Sequence, residues 1–236
     1  MSYTWQWILA VTILCLTTTA AYIKHKHTTL EAKITRRTIS HQERRSSHTS
    51  TNLQSLPPTL LLTNPIKPPA LFHEKCSILL PNYTISDSSP EHFTHLLRHN
   101  MINFAHYPQA WILWLLLPEQ RHTFSRAYIE RLVFVEGDLV CDVYKVVEAK
   151  PTHVEMSMEM PPRFGSVAGL LVIRLETMPE SGGVELVTET LQWATSEEGT
   201  MRDLPLCKPL PKLLHEFASA SLLVSGAGLL RSLDDL

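Results

Sequence analysis

Few side chains in this 236-residue chain have both the type and the setting to do chemistry. Tyr144, Arg174, Glu189 and His215 are polar residues that would matter if they faced an interior. Arg174 lies in LLVIRLE, where its guanidinium could hold a carboxylate or enolate through two hydrogen bonds, or face solvent on the outer side. His215 could serve as acid or base near neutral pH, or be solvated beside Glu216. Met156, Met158 and Met160 alternate along one run and would form a soft, adaptable apolar wall. Trp193 and Phe217 complete this expected ligand-binding set. His92, His95 and His99 share one helical face, but no carboxylate or cysteine joins them nearby, so no metal site is expected. No catalytic motif stands out, so catalysis is left open and no cofactor is called for.

These residues depend for their placement on four alternating runs between Leu132 and Ser196: LVFVEGDLVCDVYKVVEA, HVEMSMEM, GLLVIRLE and VELVTETLQWATS. Val154, Met156, Met158 and Met160 point one way while His153, Glu155, Ser157 and Glu159 point the other, the pattern of half-buried antiparallel strands. Glu136-Gly137-Asp138 divides the first run into Leu132–Val135 and Leu139–Ala149, expected as separate strands or a bulged pair. Lys150-Pro151-Thr152 and Ser181-Gly182-Gly183 are turns, and Pro161–Gly165 breaks pairing. The expectation is a meander with each strand beside its predecessor.

Helical patterns flank the runs. Asp87-Ser88-Ser89-Pro90 is a helix start, and Phe93, Leu96, Leu97, Met101 and Phe104 recur at helical spacing until Pro108. AWILWLLL, Ala110–Leu117, is too short to span a bilayer and is expected to be buried as a strand or short helix, with a membrane-dipping surface as the other option. After Pro209 and Pro211 a stripe through Leu210, Leu213, Leu214, Phe217, Ala220, Ser221, Val224 and Ala227 predicts a long helix against the sheet, a second membrane span being the alternative. The fold class is therefore α+β: an antiparallel meander packed on a long C-terminal helix, preceded by a transmembrane helix.

Trp5–Ile23 runs about 19 residues without a charge, enough to cross most of a ~30 Å hydrocarbon core. It has no basic residues before it, which favours a retained anchor over a signal peptide. The first 70 residues carry eight Lys/Arg against two acids, and the rest carries 13 against 21. Nucleic acid is thus not expected as a partner of the folded part. The positive-inside rule puts the domain in the cytosol. The expected organisation is an anchor over 1–27, a basic then proline-rich linker over 28–69 and an α+β ligand-binding domain over 70–236. Asn82-Tyr83-Thr84 is a glycosylation acceptor only if the domain is lumenal. Cys76, Cys141 and Cys207 lack metal or redox spacing and are expected as reduced structural thiols.

A meander closed by a long C-terminal helix, with stretches such as YKVVEAKPTHVEMSMEMPPRFG and PLPKLLHEF, resembles the helix-grip architecture of START-like lipid-binding and polyketide-cyclase domains. The resemblance covers about Ser125–Leu230. It implies a cup for an acyl, polyketide or terpenoid-like molecule. The layout of anchor, basic linker and small domain is also similar to uncharacterised fungal proteins of natural-product pathways, which implies a tailoring step in secondary-metabolite biosynthesis. FVEGDLVCDVYKVVE also resembles hot-dog thioesterases or dehydratases, whose main helix precedes the sheet and whose Asp/Asn/His signatures are missing here. A third expectation is a non-catalytic membrane adaptor that binds a partner protein through the sheet and the Trp111/Trp114 surface.

Overall fold

Alternating residues build a single seven-stranded antiparallel sheet, in a computed structural model that describes residues 24–42, 70–81, 83–85, 89–158, 167–178, 182–196 and 198–234. The expected anchor over Trp5–Ile23, residues 43–69, Asn82, Asp87, Ser88, Met160 and Pro161–Gly165 lie outside the described residues. The strands are β1 (Thr35–Gln42), β2 (Ala70–Leu80), β3 (Leu139–Val140), β4 (Tyr144–Lys150), β5 (His153–Met158), β6 (Val167–Met178) and β7 (Gly183–Ala194). Their order in the sheet is β1-β2-β7-β6-β5-β4-β3. The meander from β3 to β7 is as expected. β1 and β2 add to the far side of β7, so residues that precede the meander are hydrogen-bonded to its last strand.

That addition corrects the linker expected from Thr28. Residues 24–31 are helical, and Thr35–Gln42 pairs in unbroken register with β2, from Thr35↔Ser77 to Gln42↔Ala70. TRRTISHQ looks like a tether because it is polar, yet an edge strand half open to water is well served by polar and charged residues. A second correction concerns Leu132–Val135, which is not a strand. Its alternation survives, with Leu132 and Phe134 buried and Val133 and Val135 exposed, but Phe134 has φ 57° and the backbone turns away from a ladder. Gly137 at φ 93° makes the next turn, where its N–H donates to the Val146 carbonyl at 2.9 Å.

One face of the sheet is covered by helices. α1 (Ser89–Phe104) starts and ends where the sequence predicts and buries Phe93, Leu96, Leu97, Met101 and Phe104. α2 (Pro108–Leu116) contradicts the expectation that AWILWLLL is buried: Ala110 and Leu117 at its ends are buried and Leu113 half-buried, but the rest is exposed. Trp111 is 57% and Leu115 64% exposed. A short helix α3 (Arg126–Ile129) leads towards β3, and α4 (Pro209–Asp234) closes the fold. α4 packs on α1, β2 and β7. Among the described residues, Pro209–Leu233 is also long and apolar enough to cross a membrane by length and composition.

The expected stripe on α4 holds only in its second half. Of its residues Ala220 and Ala227 are fully buried and Ser221 and Val224 half-buried, with Leu223 and Leu230 completing the buried face, whereas Leu210 and Leu213 project outward. Gly226 permits the closest approach to α1, since a Cβ there would meet Leu96 Cδ1 at 2.6 Å and Asn100 Oδ1 at 3.1 Å. Cys76, Cys141 and Cys207 are all free thiols, and burial pushes Cys141 up to about 12.

Candidate functional site: an apolar cavity with one ionic wall

The strand period sorts side chains onto two faces with different fates. Met158, Gly169, Leu171, Ile173, Thr188 and Thr190 face the helices and line a cavity of about 370 Å³ between sheet and helices. Met101 and Phe104 of α1, Ile112 and Leu116 of α2, and a stripe of α4 from Leu210 to Leu222 complete its walls. The α4 stripe alone spans roughly 18 Å by helical rise. Gly169 keeps the floor open: a Cβ there would lie 1.9 Å from Met158 Cε and 2.9 Å from the Leu191 carbonyl oxygen.

Of the expected site residues, the fold brings Tyr144, Met158 and His215 into this cavity. Tyr144 stacks edge-on against Phe104 with ring centroids 5.6 Å apart, and burial holds its phenol well above the ordinary range. Met156 is fully buried in the main core and is not part of the cavity lining. Phe217 packs edge-on against Tyr107 at 6.1 Å, on another side of α4. Trp193 belongs to the opposite sheet face with Leu71, Leu170, Val172 and Leu191.

Arg174 and Glu189 also fall on that opposite face, because Arg174 pairs with His153 on β5 and Glu189 with Lys75 on β2. They bind each other, Arg174 donating from Nη2 to Glu189 and from Nε to Glu176. His73 Nε2 sits 2.8 Å from the second Glu189 oxygen. Burial alone would raise the Glu189 carboxyl, but His73 and Arg174 outweigh it and hold it low. This is an ion-pair network with its partners already in place, not a ligand clamp. Nearby, Glu148, His153 and Glu155 bring three ligating atoms within 4.8 Å of one another, with Lys150 Nζ seated on Glu148 at 2.5 Å. The three histidines of α1 do not converge: His92 meets the Tyr83 hydroxyl, His95 is exposed, and His99 meets Ser225 at 2.7 Å.

The cavity's ionic wall rests on two residues that sequence reasoning missed. Glu74, 1% exposed, receives His215 Nε2 at 2.9 Å and Arg36 Nη1 at 2.6 Å on one oxygen, Oε1. Ser219 donates to the same oxygen at 3.4 Å. Arg36 is fixed in turn by Glu31 and by the Glu216 carbonyl. Burial would raise the Glu74 carboxyl, but the hydrogen bonds and charges of His215 and Arg36 win and hold it at about 2. An ionised carboxylate only accepts, so the His215 Nε2–H is the donor in this bond. The signal for Glu74 was its place between Phe72 and Cys76 on the apolar side of a strand. Arg36 gave none, because only a tertiary contact takes a polar edge residue into the interior.

The molecule is thus an α+β protein whose seven-stranded antiparallel sheet and closing helix border an apolar cavity lined in part by His215, which is bonded to the buried Glu74 behind it. No protein-family model, curated protein or solved structure matches this chain.

Proposed function

We propose that this chain is a membrane-tethered domain that binds a hydrophobic acyl, polyketide or terpenoid-like small molecule. The observation that carries the reading is the cavity of about 370 Å³, within the range of small-molecule sites, lined mainly by apolar side chains. Its rim supports the membrane part. Ile112, Leu116 and Leu210 line the cavity and are also exposed, and Trp111, Trp114, Leu115 and Leu213 extend that apolar surface. Arg121 stacks over Trp114 at 4.0 Å and supplies a cation beside it, suited to lipid phosphate. The uncharged run Trp5–Ile23 ends immediately before the helical residues 24–31, which lead into β1 and the Arg36 contact with α4. A retained anchor would therefore keep the rim near a bilayer, with the domain on the cytosolic side. The closing helix on a meander is what supports a helix-grip relationship over a hot-dog one.

Conversion of the guest, as in a tailoring step, is favoured by one observation: His215, oriented by Glu74, lines the cavity. It would move a proton on a guest held in a reactive conformer. Mass spectrometry of solvent extracts tests the binding function. The full chain purified in detergent is expected to release an apolar small molecule in near-stoichiometric amount, and a cavity-filling Ala218→Trp chain is not. Equal lipid content in the two would overturn the reading. Assay of the same preparation against acyl-thioesters addresses the hot-dog alternative, which predicts hydrolysis or dehydration.

A further inference from the structure

A break in strand register puts one carboxylate where a regular ladder would not. β4 and β5 pair evenly from Tyr144↔Met158 to Val146↔Met156, and the register then shifts between Val146 and Glu148. Without the shift Val147 would stand opposite Glu155, and Glu148 opposite Val154 on the core side. The bulge instead pairs Glu148 with Glu155 and Lys150 with His153, on the sheet face turned away from the cavity. Two carboxylates directly opposed on neighbouring strands repel each other, and Glu155 is fully buried. The arrangement calls for a cation between them.

We propose that Glu148, His153 and Glu155 form a zinc-binding site on the β4–β5 hairpin, independent of what the cavity holds. His153 Nε2 lies 3.1 Å from Glu155 Oε1 and 3.5 Å from Glu148 Oε2. Zinc bonds of roughly 2.0–2.1 Å in a tetrahedron set ligand atoms about 3.4 Å apart, so both separations already suit one shared ion. One ligand atom from each of the three residues lies within 4.8 Å of the other two, so the carboxylate oxygens need only a small closure. An imidazole with two carboxylates suits zinc better than magnesium or calcium, which take oxygen ligands. Three protein ligands leave the fourth position to water. Glu148 and His153 are half-buried, so an ion can enter from solvent, while the strands hold the buried Glu155 in place. Lys150 Nζ, 2.5 Å from Glu148 Oε1, supplies the positive charge that zinc would replace, and its side chain is 60% exposed and free to swing away. Arg174, across from His153, does not compete for the site, because its guanidinium is bonded to Glu176 and Glu189.

The test titrates the full chain, purified in detergent and stripped with a chelator, with zinc chloride against a colorimetric zinc indicator. The wild type is expected to take up a zinc ion that His153→Gln does not. Glu148→Gln is expected to bind it at least about tenfold more weakly, the loss that even outer-shell changes bring. Lys150→Met, which removes the competing cation, is expected to bind zinc more tightly than the wild type. Cobalt in place of zinc is expected to give the intense visible absorption of tetrahedral coordination in the wild type and not in His153→Gln. Metal-free melting confirms that the variants are folded, and should His153→Gln fail to fold, Glu148→Gln, altered on a half-exposed side chain, carries the comparison. Equal zinc uptake by the wild type and both ligand variants would place the ion on other histidines and overturn the proposal. No uptake by the wild type, or weaker binding by Lys150→Met, would overturn it as well.

Discussion

His215 and Glu74, from the closing helix and a central strand, meet at 2.9 Å on the wall of an apolar cavity, with Arg36 on the same carboxylate oxygen at 2.6 Å. Three distant parts of the chain therefore share one buried charge. The helix cannot leave the sheet without taking His215 and Ser219 from the Glu74 carboxylate and the Glu216 carbonyl from Arg36, so the ionic wall also fastens α4 over the cavity.

Arg36→Met is expected to lower stability by about 3 kcal/mol, because removing one partner of a buried ion pair leaves the other charge poorly compensated. Chemical denaturation checks the magnitude. A loss below about 0.5 kcal/mol, the range of an ordinary surface change, would show that the pair is solvated in practice.

Acid should act through the same carboxylate. Glu74 is held at about 2 against an ordinary value of 4.5, so the folded state binds this proton more weakly than the unfolded state. The stability it contributes is fully present above pH 4.5 and is lost as the pH falls towards 2. Glu74→Gln is expected to be less stable at neutral pH and to show a flatter decline across that window in acid denaturation followed by circular dichroism.

Gly169→Ala should disturb the cavity floor, because the added methyl meets the Leu191 carbonyl oxygen at 2.9 Å as well as the movable end of Met158. The side chain can swing aside but the backbone cannot. A loss of about 1–3 kcal/mol is expected from overpacking, with reduced binding of a fluorescent fatty-chain probe, measured by thermal melting and displacement.

The exposed rim makes a spectroscopic prediction. In a full chain carrying Trp5→Phe and Trp7→Phe, brominated lipids should quench Trp111 and Trp114 strongly while Trp193, buried on the other sheet face, stays unquenched. Adding Trp111→Ser and Leu115→Ser should weaken that contact about tenfold with little change in melting temperature, since both side chains are exposed. Unchanged quenching would remove the membrane reading of the rim.

Where periodicity and burial agree, residues alone determined the structure. The meander from β4 to β7, α1 and the buried second half of α4 follow from apolar spacing, because a strand or helix with one greasy face must place it inwards. Local pattern does not say which of two alternating faces becomes the interior, and that choice sent Arg174, Glu189 and Trp193 away from the cavity and Met158 into it. Nor does it reveal that TRRTISHQ is an edge strand, that AWILWLLL stays at the surface, or that Glu74 and His215 are neighbours. Those outcomes come from pairing between segments far apart in the chain, where the contacts that stabilise a residue are absent from its own sequence window.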